Sequence, residues 1–223
     1  MYPLARTYAI SVLRAPGTWF LMLGTAFFAW AGISLDLFGF DGSEIRSIGV
    51  TVGTCEITAV LLAVRARVSG IASIDAEGFR AAVQHRSGAL ALELGCTLGS
   101  GVGALVACAP VAILVLAIYN LLPQVGLSEG GLLGLGLAAE ASLAAAWTGL
   151  AAKVAGRVPA IAIAMGVFVL ARCNVPHALR AILPAPLPLS ASELAAHSAY
   201  AILAALGLSL AAAAMPDSAT QSA

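Results

Sequence analysis

The sequence predicts an all-α integral membrane protein with six transmembrane helices and both termini in the cytoplasm. Three observations lead there. Of 223 residues, 61% are hydrophobic and only 10% are charged, whereas a soluble domain is about a quarter charged and about half apolar. The mean hydropathy is +0.98, and a chain of this length that cannot clothe a core in charge is solvated by lipid. Apolar stretches recur along the chain, most of them near the roughly 20 residues a helix needs to cross about 30 Å of hydrocarbon. This composition excludes disorder, a collagen-like fibre and most soluble enzymes. The 11 Lys and Arg balance 11 Asp and Glu, for a formal net charge of zero. No basic surface is offered to a phosphate backbone, so nucleic acid is not an expected partner and membrane lipid is.

The elements follow in order. A short helix over 4–15, expected to lie at the membrane interface, precedes Pro16-Gly17, which separates it from a first span at 18–38. No small-residue cleavage site follows a short apolar run, so the first apolar stretch reads as a span and not as a signal peptide. The second span is placed at 47–64, the third at 98–122 and the fourth at 130–152. Pro159 suits the first turn of a fifth, at 159–175. Ser190, with Glu193 three residues on, reads as a capping box before a sixth at 194–215, and a short polar tail, 217–223, ends the single domain.

Basic residues orient the spans. Arg6, Arg14, Arg65, Arg67, Arg80, Arg86, Lys153 and Arg157 fall on one side of a six-span arrangement, against Arg46, Arg172 and Arg180 on the other. Positive charge is retained in the cytoplasm, so both termini are expected there. The connections are unequal. Residues 65–91 form a polar cytoplasmic segment with helical stretches, and 173–193 an external one whose proline-rich middle, 183–189, cannot be a regular helix.

Glycine placement is the most organised feature of the spans. Gly95, Gly99, Gly103 and Ala107 recur every fourth residue, as do Gly49 and Gly53, and Gly130, Gly134 and Ala138. Small residues at this spacing let helix backbones approach closely in a bilayer, within one chain or between two copies. Chance spacing in a chain rich in alanine and glycine is the competing explanation.

Glu56 and Glu140 sit near the midpoints of the second and fourth spans. An ionised carboxylate there costs about 2.5–3.5 kcal/mol on insertion scales, so each should face protein or water. One reading is a site lining a proton or substrate pathway. The other is a polar contact that orients helices, with Thr54, Thr58 or Thr148 as neighbours. Asp36, Glu93 and Arg172 lie nearer span ends and are expected to snorkel. His85, His177 and His197 are dispersed in the topology and read as interfacial polar residues. Cys55, Cys96, Cys108 and Cys173 show no metal-ligand spacing, so no metal is expected. No hydrolase elbow, zinc-protease helix or nucleotide-binding loop occurs, so the chain is not expected to be an enzyme.

The segment after the second span carries a resemblance. It reads Asp75-Ala76-Glu77-Gly78-Phe79-Arg80-Ala81-Ala82-Val83-Gln84-His85-Arg86-Ser87-Gly88, followed by Leu94-Gly95-Cys96. This resembles the loop of type 2 ABC exporter membrane subunits, Glu-x-Gly-Thr, an apolar run, Pro-x-Ser-Arg and then Gly-Lys. Glu77, Gly78, Ser87 and Gly95 match, whereas Phe79, His85, Gly88 and Cys96 replace Thr, Pro, Arg and Lys. The architecture matches over nearly the whole chain and the motif over about 20 residues.

The resemblance implies a short permease subunit without a fused ATPase. It implies that Asp75, Glu77, Gly78, Phe79, Arg80 and Arg86 belong to a coupling helix docking on a separate ABC ATPase, which binds ATP and Mg. It further implies a homodimer or heterodimer of permeases, export as the direction, and the plasma (inner) membrane of a bacterium as the location. Two other functions stay open: a non-transporting membrane scaffold or assembly subunit of a larger complex, and an intramembrane enzyme using Glu56 or Glu140.

Overall fold

The computed structural model describes residues 2–39, 44–76, 88–121, 123, 125–172, 187 and 190–215. Among the described residues every regular element is a helix. These are α1 (Tyr2–Arg14), α2 (Pro16–Gly39), α3 (Glu44–Ala76), α4 (Ala89–Ile118), α5 (Leu127–Ala155), α6 (Arg157–Arg172) and α7 (Ala191–Ala214). Stretches of α2, α3, α4, α5 and α7 are long and apolar enough to cross a membrane, while the apolar part of α6, Arg157–Leu170, is shorter. The protein is a multi-pass integral membrane protein, with helices as the regular elements of its described residues.

The bundle has α3, α4 and α5 at its centre. The remaining helices are laid against them: α1 on α4, α2 on α3, α6 on α5, and α7 on α5 and α4. Side-chain pairing fixes the helix directions. Gly17 faces Arg65, Thr25 bonds Thr58 and Gly32 faces Val50, so α2 and α3 are antiparallel. Gly101 faces Ala138 and Ser142, and Gly134 faces Leu105, so α4 and α5 are antiparallel. Gly136 faces Leu194 and Glu140 bonds His197, so α5 and α7 run the same way.

The centre is packed with small residues, including Cys55, Ala59, Ala63, Ala104, Cys108 and Ala141. Large apolar side chains point outward instead. Trp19, Phe20, Phe27, Phe28 and Trp30 of α2 are all more than half exposed. Such an inverted surface is stable only where lipid covers it.

Two boundaries differ from the sequence expectation. The helix of the second span runs on to Ala76 and that of the third begins at Ala89, so the helical stretches expected within 65–91 include continuations of both span helices. Arginines had marked 65 onward as loop, but helix propensity there is good and Arg67 finds a buried partner. Helix α4 also continues through Pro110, as bilayer helices tolerate when neighbours cover the interruption. At the start of α7 the Ser190 hydroxyl donates to Glu193 Oε2 at 2.6 Å, a side-chain pair in place of the reciprocal backbone bonds of a capping box.

Candidate functional site

Two polar centres are built into the apolar bundle. The first joins α3, α5 and α7. The Glu140 side chain is 1% exposed and its Oε1 lies 2.5 Å from Nε2 of His197, whose side chain is 18% exposed. Buried Glu56 reaches the same imidazole electrostatically from α3. Its Oε2 also accepts a hydrogen bond from the backbone N–H of Leu187 at 3.4 Å. Leu187 is itself buried, its side chain lying against Gly136, where a Cβ would come within 2.9 Å. Glu56 is therefore tied, through Leu187, to the turn of α5 that precedes the Glu140–His197 contact.

This corrects two sequence expectations. His197 is no isolated interfacial residue, since the parallel run of α5 and α7 brings it to the level of Glu140. The three threonines expected beside the glutamates spend their hydroxyls elsewhere. Thr54 donates to the Val50 carbonyl, Thr58 to Thr54 O at 3.0 Å and Thr148 to Ala144 O at 2.7 Å. One turn back along the helix is the nearest acceptor for a threonine in apolar surroundings.

The second centre lies where α3 ends and α4 begins. Arg67 and Glu93 form an ion pair with both side chains buried. The Arg67 guanidinium lies over Gly149 of α5, where a Cβ would be 2.6 Å from Nη2. Both residues were expected at the membrane edge, Arg67 in the loop and Glu93 snorkelling. They instead pair with each other inside the bundle, because a long arginine stem on α3 reaches across to α4. Nothing in either local sequence signals this.

Of the expected docking residues, Asp75 lies in the last turn of α3. Glu77, Gly78, Phe79, Arg80 and Arg86 lie outside the described residues, as do His85, His177, Cys173 and Arg180. Gly95, Gly99 and Gly103 are buried on α4. At Gly99 a Cβ would strike the Ala5 carbonyl and come within 2.7 Å of Tyr8 Cβ. At Gly103 it would lie 2.9 Å from Ala9 Cα. The backbone contact is thus with α1, inside one chain.

A further apolar cleft of about 180 Å³ lies between α4, α5 and α7, among Leu98, Val102, Leu135, Ala139, Ile202 and Leu206. Among the described residues no group of three His, Cys, Asp or Glu side chains is arranged to hold a metal ion, and Cys55, Cys96 and Cys108 are free and buried. No protein-family model, no curated protein and no solved structure matches the chain.

Proposed function

We propose that the chain is the membrane-spanning permease subunit of an ABC transporter, an exporter that works with a separate ATPase subunit. The observation that carries this reading is the Arg67–Glu93 ion pair. It clamps α3 to α4 at the base of the 77–87 connection, the segment that resembles a coupling helix. A push on that connection would reach α3, α4 and, through Arg67 and Gly149, α5 as one unit. A connection without such an anchor would yield without moving the spans.

Topology supports the same reading. Helix α5 finishes at the end of the bundle where α3 finishes, and α7 starts at the opposite end, so residues 156–190 must return across the thickness. Helix α6 is the described helix available for that return, and its 16 residues span about 24 Å. With α6 as a sixth crossing, the start of α1, the end of α7 and the facing ends of α3 and α4 share one end. Lys153, Arg157 and Arg65 lie at that end too, which favours the cytoplasm for it. The chain supplies the pathway and the partner the hydrolysis; ATP and Mg belong to the partner, and two copies would enclose the route.

The test is purification of the tagged chain from its own membrane in mild detergent, with identification of whatever accompanies it and an ATPase assay. A nucleotide-binding partner lost in Glu77→Arg or Gly78→Trp, in chains that still insert, supports the permease. A stable complex without any ATPase transfers support to the scaffold reading, which the departures at Phe79, His85, Gly88 and Cys96 favour.

A further inference from the structure

The Glu140–His197 contact constrains where protons sit. An imidazole nitrogen and a carboxylate oxygen 2.5 Å apart repel through their lone pairs unless a hydrogen lies between them. One proton is therefore part of the structure of this contact, and histidine is the side chain that exchanges protons near neutral pH. The two partners differ in access. Glu140 is closed off, at 1% side-chain exposure, while His197 keeps 18%.

Charged groups act on His197 from the elements around it. Glu140 does so from α5 and Glu56 from α3. On its own helix Glu193 lies one turn earlier, its carboxylate bonded to Ser190. Helix α4, which also packs on α7, carries one charged residue, Glu93, and that is paired with Arg67. We propose that Glu140 and His197, with Glu56 facing them, form a proton-binding site within the bundle, His197 being the port through which protons exchange with its surroundings.

The site has a mechanical neighbour. Glu56 also accepts the Leu187 N–H, and Leu187 packs on Gly136, one helical turn from Glu140. A proton arriving on His197 changes the field at both carboxylates, and so the hold on Leu187 and the register of α5 against α7. The inference needs only that α3, α5 and α7 are embedded in the membrane. It stands apart from the ATPase-coupled reading, and its failure would leave that reading untouched.

The chain has 3 histidines, so nitrogen-15 histidine labelling of the full chain in lipid nanodiscs gives a resolvable NMR spectrum. The signals absent from His197→Gln identify His197. Across a titration from acid to alkaline pH, His197 is expected to change protonation state. In Glu140→Gln it is expected to bind its proton about tenfold more weakly, with a smaller change in Glu56→Gln. Glu129→Gln, neutralising an exposed carboxylate at the start of α5, should leave it unmoved. If His197 in the wild-type chain never changes state, or if Glu140→Asp and Glu140→Gln both titrate like wild type, the proposal is overturned.

Discussion

Arg67 of α3 and Glu93 of α4 are ion-paired across the bundle with the guanidinium seated on the glycine backbone at Gly149. The two charges have left water for a site where neither is more than 6% exposed. Desolvation on that scale offsets most of the attraction, so the pair adds little net stability over apolar residues of similar volume. What it does impose is a penalty for breaking it unequally.

The first prediction follows from that asymmetry. Glu93→Gln leaves the guanidinium buried beside a neutral amide and is expected to destabilise the chain by about 3–5 kcal/mol. The double change Arg67→Met with Glu93→Leu removes both charges together and is expected to unfold close to wild type. Unfolding by a denaturing detergent, followed by circular dichroism in mixed micelles, checks both. A double variant as unstable as the single one would mean that the pair holds the helices by more than cancellation of charge.

A second prediction concerns the glycine stripe. Gly99 and Gly103 let α1 lie directly on α4, against Ala5, Tyr8, Ala9 and Val12. Leucine at either position has no room, and overpacking of this kind costs about 1–3 kcal/mol. The strain is relieved most readily by lifting α1. Trypsin should then cut at the exposed Arg6 and Arg14 faster in Gly103→Leu than in wild type. Gly24→Leu is the control, since nothing lies within 4 Å of a Cβ there, and its cleavage should be unchanged.

What the sequence made legible was whatever a single helix carries by itself. Apolar length located the five long helices, and a four-residue glycine period marked the face of α4 that packs tightly. Helix ends were less legible where polar residues continue the helix, as over 65–76, because charge there signals either a loop or a buried pair. Pairings between distant helices were not legible. Glu140 and His197 are 57 residues apart and Glu93 and Arg67 are 26 apart, and each meeting depends on helix direction and register. A single chain prints neither.

Helix direction gives a third prediction. If α5 crosses from the external to the cytoplasmic side, cysteines placed at its two ends report opposite compartments. In a Cys173→Ser background, with Cys55, Cys96 and Cys108 buried, Ser128→Cys should react with an impermeant maleimide in intact cells. Val154→Cys should react only after permeabilisation. Both positions are exposed on the helix surface, so accessibility to reagent tests sidedness and not burial. The reverse pattern would place the 77–87 connection outside, where no cytoplasmic ATPase could reach it.

The fourth prediction turns on how many partners a polar group keeps. Thr25 and Thr58 bond hydroxyl to hydroxyl at 2.5 Å between α2 and α3. Each hydroxyl has one proton: Thr58 donates to Thr54 O at 3.0 Å, and Thr25 donates either to Thr58 or to Leu21 O at 2.7 Å. Thr58→Val therefore removes the link without leaving Thr25 unsatisfied. Hydrogen bonds between membrane helices average about 0.6 kcal/mol, and the loss should be near that figure, well below that of Glu93→Gln. The same detergent unfolding measures it, with Thr25→Val expected to match and the double valine variant to add almost nothing. A loss as large as that of the broken ion pair would show that this hydroxyl pair, and not the apolar packing around it, sets the register of α2 on α3.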